Sequence, residues 1–526
     1  MSVAPTARGG FAPRGRILAG IVFIGGICSI AIETSASRLV GPYFGTSTFI
    51  WANLIGLTLL YLTLGYFIGG RLADRHPSPT LLFVLTAIAG ASVALIPTLS
   101  RPILEVSLDA FDDVAVGAFY GSLVGTLLLF AVPITLLGCV SPFAVRLRVD
   151  NVASAGNTAG SLYALSTVGS IIGSVLPTFL LIPVFGTRTT FILLALALVI
   201  PSLLALLAIH ARRASLLAGG LLVVVLLIPV FGASGLVRPP EYGKVIYEAE
   251  TSYNYVQVID RNGQIRLALN EGHATHSIYS PDQLLTGGPW DYFMVGPFFN
   301  PNQRAEDVEN LLLIGLAAGT VAKQFTTAYG PIPIDGVEID GEIADIGRKY
   351  FDMTEPNLNV IVDDGRYYLE RTDTIYDVIG IDAYRQPYIP FHLTTREFFQ
   401  SVSDHLDDDG VAVINAGRTK TDYRLVDVIA STMKDVFPNV YIIDVERFTN
   451  SMVIATKQPT DIEDFARNIA GLEEGDVIRI VGEASIATGN IREWSGDGQV
   501  FTDDLAPVEL VVDQIILNEA TGDDNP

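Results

Sequence analysis

The first 240 residues consist mainly of long apolar runs with almost no charged side chains. Seven of these runs are each close to the ~20 residues that a helix needs to cross a bilayer. They span residues 17–37, 48–69, 80–99, 116–140, 160–183, 189–209 and 214–235. A soluble core of that many uncharged helices would have no polar face to turn to water. We therefore predict that residues 1–240 form a polytopic α-helical membrane domain of about seven transmembrane helices, with the lipid bilayer as its partner.

The charge balance changes sign near residue 240. Up to Pro240 the chain has 13 Lys and Arg against 7 Asp and Glu, and from Glu241 onward it has 20 against 49. So many carboxylates are typical of a surface that stays hydrated in high salt, where screening weakens their repulsion. The pattern favours an acidic proteome and a halophilic source, and binding of polyamines or metal ions is the alternative. Nucleic acid is disfavoured as a partner because this half would repel phosphate.

Basic residues in the short loops predict the orientation of the membrane domain. They precede the first run and follow the second, fourth and sixth: Arg8, Arg14, Arg16, Arg71, Arg75, Arg146, Arg148, Arg212 and Arg213. The pattern predicts a multi-pass cell-membrane protein with a cytoplasmic N-terminus. With seven spans, the domain after residue 240 is extracytoplasmic, and one span more or fewer would reverse that placement.

The second half divides into three parts. Residues 241–300 alternate apolar and polar side chains around Asn262-Gly263, a hairpin signal, and end in an aromatic connector. Residues 301–459 alternate strands with helices, which predicts a mostly parallel, doubly wound α/β domain of the Rossmann-like kind. The acidic extension 460–526 is either a small cap or a partly mobile tail. The predicted strands are 310–315, 333–339, 358–362, 376–382, 410–415 and 439–446.

Small or acidic residues follow four successive predicted strands. The first strand leads into "GLAAGT" at 315–320, Glu338 ends the second, and Asp364 and Asp382 follow the third and fourth. Ligands bind at the carboxyl edge of such sheets, and a carboxylate after the second strand can accept both hydroxyls of a ribose. A glycine turn lets a ligand approach the backbone. These strand ends predict a nucleoside site with Asp382 facing the reacting group.

Around these residues the sequence resembles the spermidine synthase-like aminopropyltransferases, in particular the forms fused to a membrane domain. The likeness covers about residues 245–450 and is carried by "LLLIGLAAGT", "DGVEIDGEIADIGRKYF", "NVIVDDGRYYL", "YDVIGIDAY" and "FHLTTREFFQSVSDHLDDDGVAVIN". In the first half, "ETSASRLVGPYFG" and "GYFIGGRLADR" are similar to the membrane part of the fused forms. The resemblance implies a methyltransferase-like fold and a donor that is decarboxylated S-adenosylmethionine or S-adenosylmethionine, with no metal.

The resemblance also implies where the donor would bind. Gly315 and Gly319 would line its methionine-like portion, and Glu338 would hold its ribose. Asp364 and Gly365 would lie at its adenine.

For the reaction itself, the resemblance implies that Asp382 is the catalytic aspartate, whose carboxylate takes a proton from the attacking amine. Four more residues stand where the family binds its substrates: Asn254, His276, Asp291 and Tyr384. The sequence also departs from the family pattern. Ala318 replaces an aspartate that grips the donor amine, and "DAYRQP" has the cation Arg385 instead of a second acid.

Three functions are open at this point. The first is aminopropyl transfer from decarboxylated S-adenosylmethionine to a small amine, by a membrane-anchored enzyme. The second is group transfer to a membrane-borne substrate, such as a lipid or a lipoprotein, by an extracytoplasmic domain. The third is a transporter or sensor whose soluble domain binds a nucleoside or polyamine without turnover. A homo-oligomer is also left open by the sequence.

Overall fold

A computed structural model of the chain describes residues 13–44, 48–109, 117–149, 151–232, 236–240, 242–270, 274–385 and 387–521. It divides into two compact units, Met1–Pro239 and Pro240–Pro526. Each unit is described by itself.

The N-terminal unit is helical over its described residues. Its helices are α1 (Pro13–Phe44), α2 (Thr48–Arg75), α3 (Pro79–Asp109), α4 (Gly117–Gly138), α5 (Val140–Arg148), α6 (Val152–Leu176), α7 (Ile182–Ala208) and α8 (Arg212–Gly232), with a π-helical turn at Pro177–Leu181. Six stretches within the described residues are long and apolar enough to cross a membrane. The prediction of an N-terminal domain of long apolar helices is thus confirmed.

The six stretches and the seven predicted runs differ at one place. The fifth and sixth runs lie in a single helical stretch of 55 residues, Ser154–Ala208. A straight helix of that length would extend about 80 Å, whereas the hydrocarbon core of a bilayer is ~30 Å thick. Gly186 leaves the helical conformation, with φ 78° and ψ 162°, and divides the stretch. The number of spans and their orientation stay predictions.

The C-terminal unit begins with a four-stranded antiparallel sheet in the order β1-β2-β3-β4. The strands are β1 (Lys244–Glu250), β2 (Tyr255–Arg261), β3 (Gln264–Leu269) and β4 (Thr275–Tyr279). Strands β2 and β3 pair across Asn262 and Gly263, whose φ angles of 57° and 87° suit a tight hairpin turn. The predicted hairpin is confirmed.

The second sheet has eight strands in the order β12-β10-β11-β9-β8-β5-β6-β7. Strands β5 to β9 are parallel, and β10 to β12 extend the sheet in antiparallel pairing. Each of the six predicted strands is present, while β11 and β12 lie outside the predicted strands. The bounds are β5 (Leu311–Ile314), β6 (Ile334–Glu338), β7 (Leu358–Val362), β8 (Tyr376–Ile381), β9 (Leu406–Gly417), β10 (Asn439–Asp444), β11 (Asn450–Thr456) and β12 (Ile491–Glu493).

Helices cover both faces of this sheet, as the alternating pattern predicts. They are α9 (Thr320–Tyr329), α10 (Gly341–Tyr350), α11 (Gly365–Leu369), α12 (Arg396–Asp404), α13 (Arg424–Lys434), α14 (Ile462–Ala470), α15 (Val477–Ala487) and α16 (Val508–Thr521). Side chains alternate along β5, so Leu312 and Ile314 join one hydrophobic core while Leu311 and Leu313 join the other. The result is a three-layer α/β domain.

Two segments outside the alternating pattern complete the domain. The aromatic connector forms a buried 3₁₀ helix, Pro289–Phe299, whose side chains fill the core on one face of the sheet. Beyond residue 460, α14 and α15 pack against this connector and α16 packs against α13. Arg366 of α11 also holds Asp503 through two hydrogen bonds of 2.7 Å. The described part of the C-terminal segment is therefore folded onto the domain.

In the N-terminal unit, α1 and α6 approach each other through glycines. A Cβ atom on Gly173 of α6 would lie 2.2 Å from the carbonyl oxygen of Ile27, and one on Gly169 would lie 2.4 Å from that of Phe23. On α1, a Cβ atom on Gly26 would meet the carbonyl oxygen of Ser166 at 2.2 Å. Small residues at such crossings let the two backbones touch, which is a main source of stability between membrane helices.

The substitution Gly173→Val is therefore expected to lower the thermal unfolding midpoint of the detergent-solubilised protein, because it forces α1 away from α6 at a cost of about 1–3 kcal/mol. Gly160→Val is the matched control on the same helix, since a Cβ atom there has nothing within 4 Å. Equal midpoints for the two variants would contradict the close crossing of α1 and α6.

Candidate active site

The turn between β5 and α9 has a left-handed backbone at three positions. Gly315 and Gly319 have φ angles of 92° and 88°, and Ala317 has 49°. Only glycine adopts this region without steric strain. At Gly315 there is also no room for a side chain, because a Cβ atom would lie 2.5 Å from the backbone oxygen of Asp382. The turn is thus pressed against the residue that follows β8.

Glu338, at the end of β6, supports this turn from the side. Its side chain is 8 % exposed, and its two oxygens accept hydrogen bonds from the backbone N–H groups of Ala317, at 2.9 Å, and Asp340, at 3.1 Å. Burial raises the pKa of Glu338 to about 7. Each carboxylate oxygen keeps a further lone pair, so the group can still accept from ligand hydroxyls.

Asn254 ties the small sheet to Asp340, which caps the start of α10. Its amide donates to Asp340 Oδ2 at 3.0 Å, and its oxygen accepts from Asn270 at 3.0 Å. Thr251 donates to the same Asp340 oxygen at 2.5 Å. The predicted substrate-binding role of Asn254 stays a prediction, and the side chain makes these internal hydrogen bonds in the structure.

Asp364 and Gly365 are at the end of β7, next to β6. Asp364 caps α11 by accepting from the N–H groups of Arg366 and Tyr367 at 3.0 and 3.1 Å, and its other oxygen contacts His392 Nε2 at 3.0 Å. The hydrogen bond from His392 lowers the pKa of Asp364. Gly365 packs so closely that a Cβ atom would lie 2.2 Å from Ile314 Cγ2.

Two apolar side chains are exposed next to the strand ends that carry Glu338 and Asp364. Ile339 follows β6 and is 42 % exposed, and Val362 ends β7 and is 60 % exposed. Exposed aliphatic groups beside acidic strand ends suit the flat face of a base. The prediction from sequence does not include them, although an apolar residue directly beside each strand-end acid is a signal that can be read.

Asp382 follows β8, and its backbone N–H donates to Ile314 of β5 at 2.8 Å. Its Oδ1 accepts from Asn415 Nδ2 at 2.8 Å, while Asn450 donates to the amide oxygen of Asn415 at 2.9 Å. The bond from Asn450 fixes which end of the Asn415 amide faces the carboxylate. Burial raises the pKa of Asp382 to about 6, against opposing hydrogen bonds from Asn415 and Trp290.

A cavity of about 410 Å³ opens beside Asp382. Its wall brings together residues from the turn, the small sheet, the connector and the ends of β8 and β9: Ala317, His276, Trp290, Asp382, Tyr384 and Asn415. Three of these belong to the predicted site, namely His276, Asp382 and Tyr384. Trp290 and Asn415 were not predicted, although a polar residue ending the apolar strand "VAVIN" is a usable signal for Asn415.

His276 lines this cavity and has a side-chain nitrogen that makes no hydrogen bond within the described part of the chain. Its Nε2 is inaccessible to solvent and has no hydrogen-bond partner among the described residues. Burial lowers the pKa of His276 to about 4, so the ring is neutral at physiological pH. Such an atom calls for a ligand group or a water molecule.

Tyr384 and Arg385 have different surroundings. The hydroxyl of Tyr384 donates to the backbone oxygen of Asn415 at 3.0 Å, and this side chain lines the cavity. Arg385 is exposed, its backbone pairs with Tyr388, and it is not among the residues that line the cavity. Arg385, the cation that the sequence places close to Asp382, therefore does not line this cavity.

Asp291 is also outside the cavity. Its buried carboxylate accepts from the N–H groups of Thr286 and Gly287, from the hydroxyl of Thr286, and from Gln324 Nε2, at 2.6–2.9 Å. Burial raises the pKa of Asp291. The predicted substrate-binding role of Asp291 stays a prediction, and the structure uses the carboxylate to hold the start of the connector.

The residues fit an adenosyl sulfonium group. Glu338 offers buried acceptors beside the glycine turn, and His276, which lines the same cavity as Asp382, has a side-chain nitrogen that is unpartnered among the described residues. No group of three or more His, Cys, Asp or Glu side chains in the described part of the chain is arranged to hold a metal ion.

Several known proteins are similar to this chain. The family model of the spermine/spermidine synthase domain matches residues 300–466. A probable polyamine aminopropyl transferase of Bifidobacterium longum is 32 % identical over 296 residues, which cover 52 % of this chain and 64 % of that protein. The polyamine aminopropyltransferase of Vibrio vulnificus is 30 % identical over 227 residues, 41 % of this chain and 73 % of its own. The chain thus spans less than two thirds of the Bifidobacterium protein.

Among solved structures, the spermidine synthase of Thermotoga maritima matches with a TM-score of 0.38 and 22 % identity. The match covers 46 % of this chain and 84 % of that one.

The close contact at Gly315 yields a prediction. Gly315→Ala should destabilise the protein by more than the ~1–2 kcal/mol of a left-handed alanine, because the Cβ atom also collides with Asp382. It should also weaken the binding of an adenosyl compound that carries a thioether. Calorimetry with 5′-methylthioadenosine as the probe measures this, and the reason is that the turn must shift.

Gly263→Ala is the control, because Gly263 has a φ of 87° but nothing within 4 Å of its Cβ position. It should show the smaller loss of stability and unchanged binding. A Gly315→Ala protein that behaves like this control would refute the tight contact.

Proposed function

The chain belongs to the polyamine aminopropyltransferase family, and on that premise we propose that its C-terminal unit transfers an aminopropyl group from decarboxylated S-adenosylmethionine to a primary amine. The observation that carries the proposal is the carboxylate of Asp382, which is oriented by Asn415 and borders a cavity beside the glycine turn. A carboxylate at that point can hold an amine and receive its proton.

The donor supplies an activated carbon bonded to a sulfonium. The attacking amine nitrogen forms a C–N bond to that carbon as the C–S bond breaks, and the bonding electron pair remains on sulfur in 5′-methylthioadenosine. The nitrogen loses one proton, which Asp382 accepts and passes on to solvent. With a pKa of about 6, Asp382 is mostly ionised at pH 7 and is able to take that proton.

The other strand ends would bind the donor. Glu338 would accept the ribose hydroxyls, and Gly315 and Gly319 would line the methionine-like chain. Asp364 and Gly365 would border the adenine, whose faces would lie against the exposed side chains of Ile339 and Val362. His276 would accept a hydrogen bond from the amino end of the donor or of the acceptor, since this residue lines the same cavity and its Nε2 has no hydrogen-bond partner among the described residues.

A second candidate function depends on the side of the membrane. If Gly186 divides its helical stretch into two spans, the N-terminal unit has seven spans and the C-terminal unit lies outside the cell. An external domain would be separated from cytosolic donor and amines. That outcome would favour transfer to a membrane-borne substrate, such as a lipid or a lipoprotein.

Replacing the proton acceptor gives the test of the reaction. Asp382→Asn should lower kcat by roughly 10²–10⁴-fold, because general base catalysis is lost. Binding of 5′-methylthioadenosine should stay within about twofold. In the wild type, kcat/KM should rise with pH through about 6, as Asp382 loses its proton, and the variant should lack this limb.

Asp373→Asn is the control, since this exposed aspartate lies just before β8. It should leave the rate and the pH profile unchanged. A rate limb near pH 6 that persists in the Asp382→Asn protein would assign the proton acceptor to another group.

The placement of the C-terminal unit can be measured by cysteine labelling in intact cells. Cys28 and Cys139, which are both free thiols, are first replaced by alanine so that only the introduced cysteine can react. With seven spans, Asp373→Cys should react with a membrane-impermeant maleimide, whereas His76→Cys, between α2 and α3, should react only after permeabilisation. Labelling of both sites only after permeabilisation would place the C-terminal unit in the cytoplasm and exclude an odd number of spans.

A further inference from the structure

The cavity beside Asp382 has few charged side chains. Among the described residues that line it, the charged groups are one carboxylate, Asp382, and two guanidiniums, Arg266 and Arg418. An acceptor with two ammonium groups needs a second carboxylate for its far end, since an unpaired charge in a partly desolvated site is unfavourable. The cavity wall instead carries two guanidiniums.

Arg418 is already neutralised within the fold. Its side chain is 10 % exposed, its Nε lies 3.6 Å from Asp444 Oδ1, and it donates to Ser451 Oγ at 3.0 Å and to the backbone oxygen of Thr419 at 2.9 Å. These internal contacts indicate that Arg418 has a structural role at the end of β9.

Arg266 has no such compensation. It lies on β3, where its Nε donates to Gln264 at 2.7 Å and its Nη1 reaches the Tyr242 hydroxyl at 3.4 Å, with the guanidinium 5.4 Å from the ring centre. Among the described residues, no carboxylate lies within ion-pair distance of it. A half-buried guanidinium with free N–H groups is suited to a carboxylate, which it can bind through two parallel hydrogen bonds.

The remaining wall suits a short hydrocarbon chain. Leu425 of α13 and Val512 and Ile515 of α16 line the same cavity. Methylene groups bury favourably against such side chains. An amine end at Asp382, an apolar middle and an anionic end at Arg266 would match the three kinds of surface.

We propose that the acceptor is a primary amine whose far end is a carboxylate, with Arg266 as its specificity-determining residue. The proposal rests on the proposed aminopropyl transfer, because it names the amine that this site accepts. A diamine is the poorer acceptor, since its second ammonium meets the Arg266 guanidinium. Arg266 contacts the end of the acceptor that does not react, so it acts on acceptor affinity more than on the chemical step.

The test compares three amines of equal chain length: 4-aminobutyrate, butylamine and putrescine. Their affinities are measured by calorimetry on the full-length solubilised protein saturated with 5′-methylthioadenosine. Turnover is measured in parallel as release of 5′-methylthioadenosine from decarboxylated S-adenosylmethionine. The wild type should bind 4-aminobutyrate about tenfold or more tightly than putrescine, as expected for one charge-assisted pair, with butylamine between them.

Arg266→Glu should reverse that order, and Arg266→Gln should remove most of the preference, mainly through KM. Circular dichroism checks that both variants fold, and the Gln variant serves alone if the Glu variant does not. Arg261→Glu is the matched control. Arg261 lies 4.9 Å from the same Tyr242 ring but is exposed and outside the cavity wall, so this variant should keep the wild-type order.

Preference for putrescine in the wild type, equal affinity for all three amines, or no binding of 4-aminobutyrate would each overturn the proposal. So would an order that Arg266→Glu leaves unchanged. Release of 5′-methylthioadenosine with putrescine as the best acceptor overturns this inference alone. No release with any amine contradicts the proposed function itself.

Discussion

The contact between the glycine turn and the backbone of Asp382 holds the candidate site together. Gly315 donates its N–H to Val337 at 2.9 Å, Asp382 donates its own to Ile314 at 2.8 Å, and no side-chain atom fits between the two segments. The space that a donor would occupy and the carboxylate that would accept a proton are therefore set by one contact. Glu338 adds to it by holding the N–H of Ala317.

The parts of the site that could be predicted are those that follow from topology. Apolar strands that end in Gly315, Glu338, Asp364 and Asp382 must bring these residues to one edge of a parallel sheet, and the structure has them there. The Asn262-Gly263 hairpin is likewise a local consequence of backbone preference. Strand β12 is short and at an edge, and the pairing of β11 is antiparallel, so the strand-helix alternation did not indicate either one.

The parts that could not be predicted depend on contacts between distant segments. Asn254 and Asp291 stand at family positions in the sequence, yet Asp340 and Gln324 occupy their polar atoms. Arg385 follows Asp382 closely in the sequence but does not line the cavity, whereas Arg266, on a distant strand of the small sheet, does. Side-chain periodicity within one segment carries no information about which partner a distant segment will supply.

The most direct test of the account follows the transferred carbon atoms. The full-length protein is incubated with decarboxylated S-adenosylmethionine carrying ¹³C in its aminopropyl chain, together with a primary amine, and the products are identified by mass spectrometry and NMR. The account predicts the label in a new secondary amine, with one equivalent of unlabelled 5′-methylthioadenosine. Label that stays in the donor, or that appears only in a hydrolysis product without a new C–N bond, would contradict it.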